Sequence, residues 1–426
     1  MKKPLTAILL GAGQRGFGYC EFALENPDKL QIVGVAEPDA VRRGDFQKKH
    51  GIADTDCLVT WEDVFSRDKW ADVVIICTQD TMHYGPAMAA IAQGYDILLE
   101  KPISPSPQEC MEISKAAAEK NVKVVVCHVL RYTPLFSKVK EIIESGEIGD
   151  VVTVVHNENV GDAHHSHSFV RGHWGNTAKS SPMILAKSCH DTDLIQWLID
   201  KNCIRLSSFG SLKYFKKENA PEGSPERCSA GCNESCAYDA REMYLKSDNM
   251  WFRSVAAGYF DPTNEDVENA IKTGPYGRCV FKCDNDVVDH QVVSFDFEDG
   301  VTAIFSMSSF TPDISRSLKI MGTKGEIRAH SLKESIIVNS FEKRSEREEI
   351  VGSGKGGHGG GDHGIMVAFC DYVSGENKDP KAVSEIGISA QNHMLSFAAE
   401  KSRLNAGAVV EMEGFVGVEV RELTDC

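Results

Sequence analysis

The chain has 426 residues, which is too long for one ordinary core and predicts two domains. It carries 46 lysines and arginines against 62 aspartates and glutamates, a formal net charge of −16. Such an acidic surface disfavours nucleic acid and anionic membranes as partners, and no apolar stretch approaches the roughly 20 residues of a membrane span. We expect a soluble cytoplasmic protein, because the apolar start of the chain runs into a glycine turn rather than a signal-peptide cleavage site.

A glycine-rich turn follows the first apolar run, residues 7–10. Its three glycines have the spacing G-x-G-x-x-G and are Gly11, Gly13 and Gly16. The first permits a tight turn, the second lets the backbone approach a pyrophosphate, and the third lets the next helix, 17–26, pack against the strand. The start of that helix offers free N–H groups to phosphates, so the turn predicts a dinucleotide site.

An acidic residue completes this pattern. Glu37 ends a second apolar strand, 31–36. Its carboxylate can accept hydrogen bonds from ribose hydroxyls and would repel a 2′-phosphate, which favours NAD over NADP. Arg42 and Arg43 follow closely and keep NADP open as the less favoured cofactor.

Apolar strands and helices alternate through the first third of the chain. The strands are 71–78, 95–99 and 122–127, and the helices between them are 84–93 and 107–120. This alternation predicts an α/β fold with a doubly wound parallel sheet and a ligand crevice beyond the carboxyl ends of its strands. The residues that fall at those ends are Thr78, His83, Lys101 and His128.

Four motifs together resemble the Gfo/Idh/MocA oxidoreductase family, which includes glucose–fructose oxidoreductase and inositol dehydrogenase. They are the glycine turn, Thr78 with His83, Glu100-Lys101-Pro102, and Arg131-Tyr132-x-Pro134. The resemblance covers about residues 1–200 well and the remainder loosely. It implies a Rossmann domain, 1–130, followed by an α+β domain, 131–426, with a large, mostly antiparallel open sheet for substrate binding and oligomerisation.

The resemblance also implies the site residues of the first domain. Lys101 lies near the nicotinamide and the reacting hydroxyl, where its ammonium can stabilise a developing oxyanion. For His83 and His128, a structural role at a strand end and contact with a ligand stay equally open. The implied cofactor-binding residues are Gly11, Gly13, Gln14, Arg15, Gly16, Glu37, Thr78, His83, Glu100 and Lys101.

A second motif, within residues 181–198, resembles the catalytic segment of the family's second domain. The family has an acid one turn before a histidine, but here that position is Ala186, and Lys187 follows it. Lys187 and His190 are three residues apart and share a face in a helix. We expect both to do acid–base work, with Lys101 lowering the pKa of Lys187, although a buried structural His190 is the alternative.

Candidates for substrate contact are spread over the second half of the chain. We interpret a histidine-rich segment, 156–173, as a polar loop that faces the cleft. A metal site is the alternative interpretation. A glycine-rich stretch, 352–364, reads either as a linker or as a loop that closes over substrate. The candidates are His128, Arg131, Arg171, Trp174, Asp191, His358 and Asp362.

A cysteine-rich insertion occupies about residues 215–290. It contains Cys228-x-x-x-Cys232-x-x-x-Cys236 and, further on, Cys279 and Cys283. A structural Zn²⁺ held by Cys228, Cys232, Cys236 and Cys283 fits this pattern, and free thiols fit it about equally well. Iron–sulfur and disulfide chemistry are the remaining alternatives.

Alternating strands return in the rest of the second domain. They are expected at 150–157, 204–209, 292–297, 301–307, 316–321, 325–330, 335–340 and 408–420. We expect residues 342–349 to be exposed and 384–404 to be helical. One sheet face can then pack on helices and the other on a sister subunit, which predicts a homo-oligomer, a dimer or a tetramer.

These features favour an NAD-dependent oxidoreductase that moves a hydride between nicotinamide and a secondary hydroxyl of a sugar, polyol or glycoside. The first alternative is a redox-neutral enzyme that cleaves a glycoside through oxidation, elimination, hydration and reduction on retained NAD. The second, from another class, is a nucleotide-bound sensor without chemistry. Lys101, Lys187 and His190 together argue against the sensor.

Overall fold

A computed structural model describes residues 3–232 and 236–415. The first sheet has six parallel strands in the order β3-β2-β1-β4-β5-β6, which confirms the predicted doubly wound sheet. Its strands are β1 Leu5–Leu10, β2 Leu30–Ala36, β3 Cys57–Leu58, β4 Val73–Ile76, β5 Asp96–Leu99 and β6 Val124–Val126. The strand order reverses between β1 and β4, so the ligand crevice lies beside the glycine turn that follows β1.

Helices cover the first sheet and begin where the sequence supplies capping residues. Asp39, Thr60 and Ser106 each accept a backbone N–H at a helix start, and Pro107 stands at the first helical position. The first helix begins three residues earlier than predicted, directly after Gly13. These helices are α1 Gln14–Glu25, α2 Ala40–His50, α3 Trp61–Phe65, α4 Tyr84–Ala92 and α5 Pro107–Lys120.

The second sheet has nine strands in the order β14-β13-β12-β11-β7-β10-β9-β8-β15. Every pairing is antiparallel except β7 with β10, so the predicted, mostly antiparallel sheet is confirmed. The strands are β7 Val151–Asn159, β8 Cys203–Ser211, β9 His290–Phe297, β10 Thr302–Ser308, β11 Ser315–Gly322, β12 Gly325–His330, β13 Ser335–Ser340, β14 Ser345–Ile350 and β15 Val410–Glu411.

Some second-domain helices pack on the nine-stranded sheet, others return to the first sheet, and the two helices of the insertion pack on each other. Helix α12 packs against α1, and its residues Ile365 and Phe369 join Leu9 in the core of the first sheet. Helix α13 contacts α5, α9 and β8 and therefore links both sheets. The helices are α6 Pro134–Glu144, α7 Asp162–His165, α8 Met183–Ala186, α9 Cys189–Ile199, α10 Met250–Ala257, α11 Asn264–Thr273, α12 Gly361–Val373 and α13 Ile386–Leu404.

The predicted exposure of residues 342–349 is confirmed, and the segment contains β14, an exposed edge strand whose charged side chains suit a sheet edge. Two other sequence predictions need correction. The final strand is only Val410–Glu411, the chain is helical over 412–415, and residues 416–420 lie outside the described range. The expected polar loop within 156–173 is instead the end of β7, then α7 and a buried helical turn, Ser166–Arg171, against the aromatic rings of the insertion. In the described part of the chain, no helix has the length and hydropathy needed to cross a membrane.

Candidate active site

The glycine turn has the geometry that a dinucleotide requires. Gly11 has φ of 89°, and a Cβ there would lie 2.6 Å from the carbonyl oxygen of Cys77. A Cβ on Gly16 would lie 2.3 Å from the carbonyl oxygen of Gly11, so only glycine allows this close packing. Around Gly13, at the start of α1, no atom lies within 4 Å of an added Cβ. The backbone is therefore open where a pyrophosphate would approach the helix N-terminus.

The acid at the end of β2 is fixed beside this turn. Glu37 is buried, and its carboxylate accepts the backbone N–H of Ala12 at 2.8 Å and that of Asp39 at 2.9 Å. Arg42 lies 3.7 Å from the same carboxylate. The carboxylate is thus held at the place where a ribose is bound in dinucleotide folds, with a guanidinium at its outer side.

Arg15 joins the glycine turn to two other segments. Its guanidinium donates to Glu100 at 2.7 Å and to both carboxylate oxygens of Asp362 at 2.8 Å each. Burial by itself would raise the pKa of Glu100, but the charges of Arg15 and Lys101 hold it below its usual value. We call the bonds of Arg15 to Glu100 and Asp362 the arginine clamp. Gln14, at the first position of α1, stands next to Arg15.

His83 lies between two backbone carbonyl oxygens. Its Nδ1 lies 2.7 Å from the carbonyl oxygen of Pro102, and its Nε2 lies 3.1 Å from that of Thr78. The hydroxyl of Thr78 in turn donates to the carbonyl oxygen of Met82 at 3.1 Å. These contacts fit the structural alternative, in which His83 ties two strand ends together, and its contact with a cofactor stays a prediction.

Two lysines meet at the edge between the domains. Lys101 donates from Nζ to the carbonyl oxygen of Ala186 at 2.8 Å, and its Nζ lies 6.0 Å from the ring centre of Trp174. That bond places Lys101 beside Lys187, the next residue of the chain. Burial lowers the pKa of Lys187, the carboxylate of Glu158 opposes this, and the charge of Lys101 adds to the lowering.

Glu158 is a site residue that the sequence predictions missed. It is fully buried, its carboxylate lies 3.3 Å from Nζ of Lys187, and it also forms an ion pair with Arg316. Burial raises its pKa to about 7, against the opposing charges of Arg316 and Lys187. The available signal was the alternation of β7, which places 158 on the same inward face as 154 and 156.

Asp191 supports this group from behind and does not face a cleft. The residue is fully buried and accepts hydrogen bonds from Nε2 of His156 and Nε of Arg316, each at 2.7 Å. Its pKa is held well below its usual range because the charge of Arg316 and the bond from His156 outweigh burial. The predicted substrate contact of Asp191 is therefore corrected to orientation of Arg316.

His190 lies one turn after Lys187, at the start of α9. Its ring centre lies 6.0 Å from that of His128 and 5.8 Å from that of His358. Burial lowers its pKa well below the usual value, and the charge of Lys101 lowers it further, so the imidazole is neutral. Its Nδ1 is buried and has no hydrogen-bond partner within 3–232 and 236–415, which leaves it able to bind a substrate hydroxyl.

Two predicted substrate contacts are buried structural arginines. Arg131 forms a two-pronged ion pair with Asp193, at 2.7 and 2.6 Å. Arg171 donates to the carbonyl oxygens of Arg278, at 2.8 Å, and Tyr238, at 2.6 Å, deep in the insertion. Neither guanidinium is free to meet a substrate, and both predictions are corrected on that ground.

The other predicted substrate residues do lie near the two lysines. His358 contacts Asp362 through Nδ1 at 2.9 Å and stands close to His190. Trp174 donates from Nε1 to Asp80 at 3.2 Å, which holds its ring beside Lys101. His128 is buried behind His190, and burial lowers its pKa to about 4.

Two family models match the chain over most of its length. "Oxidoreductase family, NAD-binding Rossmann fold" matches residues 5–128, and "Oxidoreductase family, C-terminal alpha/beta domain" matches residues 140–385. The chain belongs to the Gfo/Idh/MocA oxidoreductase family. The resemblance drawn from the glycine turn and the Glu-Lys-Pro motif is thereby confirmed.

Named relatives of this Gfo/Idh/MocA chain include enzymes that act on inositol. The putative oxidoreductase YteT of Bacillus subtilis (strain 168) is 28% identical over 346 residues, 77% of each chain. An inositol 2-dehydrogenase of Corynebacterium glutamicum is 24% identical over 202 residues, 46% of this chain and 55% of that one. An inositol dehydrogenase homologue from Azotobacter vinelandii, solved with NAD⁺, superposes with a TM-score of 0.69 at 14% identity, over 96% of this chain and 98% of that one. This last likeness shows the fold.

Five of the 14 cysteines of this Gfo/Idh/MocA chain lie in its insertion. Cys228, Cys232 and Cys236 line one small cavity together with Cys279, whereas Cys283 donates to the carbonyl oxygen of Cys279 at 3.3 Å. Over the described ranges, no group of three or more His, Cys, Asp or Glu side chains is arranged around a point where a metal ion would sit. The zinc set with Cys283 stays a prediction.

Proposed function

We propose that this protein is an NAD-dependent oxidoreductase that moves a hydride between nicotinamide and a secondary hydroxyl of a sugar, polyol or glycoside. The observation that carries the proposal is the meeting of Lys101, Lys187 and His190 at the crevice beside the glycine turn. A hydride acceptor and a hydroxyl base are the two parts that alcohol oxidation needs.

The residues around the glycine turn fit an NAD molecule. The open backbone at Gly13 suits a pyrophosphate, and the fixed carboxylate of Glu37 suits a ribose diol rather than a 2′-phosphate. Arg42, at 3.7 Å from Glu37, is a feature that favours NADP. When bound, the nicotinamide supplies hydride acceptance and donation.

The proton of the reacting hydroxyl is assigned to Lys187. Burial lowers the pKa of this lysine, which favours the neutral amine that can accept a proton. Glu158, at 3.3 Å and with a pKa near 7, can take that proton onward. His190 then serves as the hydrogen-bonding partner of the same hydroxyl or as an alternative base.

Lys101 is assigned to orientation and charge stabilisation. An ammonium group has three donors, and among the described residues only the carbonyl of Ala186 accepts one of them. The remaining donors can bind the substrate oxygen as negative charge develops on it. Trp174, whose ring lies beside Lys101, offers a flat apolar surface to the C–H face of a sugar ring.

The names of the relatives support a cyclic polyol or sugar as the substrate class.

We also propose the division into domains at 1–130 and 131–426, supported by family matches to 5–128 and 140–385. A cytoplasmic homo-oligomer, assembled through the uncovered face of the nine-stranded sheet, completes the proposal.

A panel of inositols, sugars and glycosides tests this function. Purified protein is first examined by native mass spectrometry for bound nucleotide, and turnover with added NAD is then followed at 340 nm. Net NADH formation from one substrate class supports the dehydrogenase. Aglycone release without net NADH would instead establish the redox-neutral alternative. Nucleotide binding without turnover across the panel would favour the sensor, and no nucleotide binding would refute all three.

A further inference from the structure

Four cysteines of the insertion surround a single cavity. Cys228, Cys232, Cys236 and Cys279 line it together with the side chain of Arg171. The four thiols are free in the structure, and three of them come from one segment with the regular spacing C-x₃-C-x₃-C. This grouping is independent of the active site and is not used by the proposed reaction.

Backbone contacts bring the fourth cysteine to the other three. Arg227 and Arg278 form an antiparallel bridge, and the N–H of Cys279 donates to the carbonyl oxygen of Glu226 at 2.9 Å. Cys228 and Cys279 leave this antiparallel bridge in opposite directions, so the bridge joins the two segments, and both side chains then line the same cavity. Cys283 lies five residues beyond Arg278 and does not line the cavity.

A buried positive charge faces the thiols. Arg171 is 1% exposed, its Nη2 lies 3.6 Å from Sγ of Cys228, and its other partners are carbonyl oxygens and the sulfur of Met243. None of the ion pairs in 3–232 and 236–415 includes Arg171. The one carboxylate at the cavity, Asp239, is paired with Arg241. The guanidinium of Arg171 is thus placed where it can balance negative charge at the cavity.

The cavity also lies between two small apolar clusters. One contains Cys228 with Tyr244 and Phe252, and the other contains Phe281 with Cys279 packed against it. Clusters of this size contribute little stability by themselves, and insertions of this kind gain stability from a metal bound between them.

We propose that Cys228, Cys232, Cys236 and Cys279 bind one metal centre through four thiolates. The chemistry shared by the two candidate occupants, Zn²⁺ and an iron–sulfur cluster, is ligation by four cysteine sulfurs. The four thiols line a cavity and are not arranged around one point. A single ion would therefore require the thiols to move inward, whereas an iron–sulfur cluster is larger and would require a smaller movement. Cys279 replaces Cys283 as the fourth ligand, and Arg171 balances the charge of the thiolates.

Metal analysis of the full-length protein purified without oxygen tests this centre. We expect stoichiometric zinc, or iron with matching inorganic sulfide and visible absorbance, and these two results identify the occupant. Cys232→Ser and Cys279→Ser should each lose the metal, while the matched Cys283→Ser should keep it. Wild-type protein without stoichiometric metal would overturn the proposal, and loss from Cys283→Ser with retention in Cys279→Ser would overturn the ligand set.

A second measurement covers the case in which the cysteine variants fail to fold. X-ray absorption at the edge of the bound metal, on wild-type protein, counts the neighbouring sulfur atoms. Only sulfur in the first shell, with four thiolates per centre, agrees with the proposal. Nitrogen or oxygen neighbours would contradict it, because the cavity has no histidine among its lining residues.

Discussion

The guanidinium of Arg15 donates two hydrogen bonds of 2.8 Å to the carboxylate of Asp362, which lies 347 residues later in the chain. Arg15 stands in the glycine turn, and Asp362 stands in the first turn of α12. Asp362 also contacts His358, whose ring lies 5.8 Å from that of His190. One short series of contacts therefore joins the glycine turn to the helix that contains His190.

Asp362→Ala should weaken binding of the cofactor. Without the carboxylate of Asp362, the half-buried guanidinium of Arg15 keeps its bond to Glu100, but the turn loses its attachment to α12. We expect the Kd for NADH to rise roughly tenfold, which corresponds to about 1.4 kcal/mol. Titration of NADH fluorescence measures this. The control is Asp371→Ala. Asp371 is also in α12, and this change removes a partly exposed 3.0 Å ion pair with Lys29. Equal Kd values for the two variants would contradict a role for the arginine clamp.

Lys187→Met should remove most of the catalytic rate while leaving cofactor binding intact. A general base contributes about 10²–10⁴-fold to a proton transfer, so we expect kcat to fall by that factor on the best substrate of the panel. Lys179→Met, which removes an exposed lysine paired with Asp284, is the matched control. A kcat within a few-fold of wild type in Lys187→Met would transfer the base role to His190.

Glu158→Gln should shift the acid side of the kcat profile to lower pH. Burial lowers the pKa of Lys187 and the carboxylate of Glu158 raises it, so removing that carboxylate lowers the pKa further. The neutral amine then forms at lower pH, and activity rises earlier along the pH axis. Glu326→Gln, in a 2.9 Å pair with Lys319 on the open sheet face, is the control. If the acid limb disappeared instead, Glu158 itself would be the base.

The sequence predicted the first sheet closely because its signals are local. Buried parallel strands are continuous apolar runs, and the glycine turn and Glu37 mark the ends of two of them. Edge strand β14 was missed because its residues are charged and exposed on both faces, which gives no alternation to detect. Only its pairing with β13 makes it a strand.

The site was predictable where a motif carried it and not where tertiary pairing did. Lys101, Lys187 and His190 stand in recognisable segments, whereas Glu158 stands in β7 without a motif and meets Lys187 and Arg316 only in the fold. Glu158 and Arg316 are direct neighbours across the β7–β11 pairing, so the alternation of β7 indicates that Glu158 faces inward but not which residues it meets. Arg131 shows the same limit of sequence analysis. Its motif suggested substrate contact, but the sequence does not reveal its ion-pair partner Asp193.

Ile304→Lys should disrupt a homo-oligomer. Ile304 is 48% exposed on the uncovered face of the nine-stranded sheet, where Phe209 and Val292 form an adjacent exposed pair. An apolar sheet face without a covering layer is typical of a subunit interface. Native mass spectrometry should show a dimer or tetramer for wild type and a smaller species for the variant. Val41→Lys, at an exposed position of α2, should leave assembly unchanged. A monomeric wild type would contradict the interface.

Stability should fall as the pH decreases from about 6.5 towards 4, partly because of His393. The neutral ring of His393 is fully used: Nδ1 donates to the carbonyl of Ser389 at 2.8 Å, and Nε2 accepts the N–H of Ile103 at 3.1 Å. Burial lowers its pKa from the ordinary 6.5 to about 3, and the charge of neighbouring His128 contributes. Between these values the unfolded chain binds a proton that the folded chain does not, so acid favours unfolding.

His393→Gln should make this pH dependence shallower. Without His393, unfolding should take up about one proton fewer in the pH range where the ring is neutral in the folded chain and protonated in the unfolded chain. The free energy of unfolding should therefore fall less steeply as the pH decreases. Denaturant unfolding at several pH values between 7.5 and 4.5 measures the slope. His290→Gln, at a partly exposed histidine of β9, is the control. Parallel slopes for wild type and His393→Gln would contradict the prediction, because they would show that His393 titrates alike in the folded and unfolded chains.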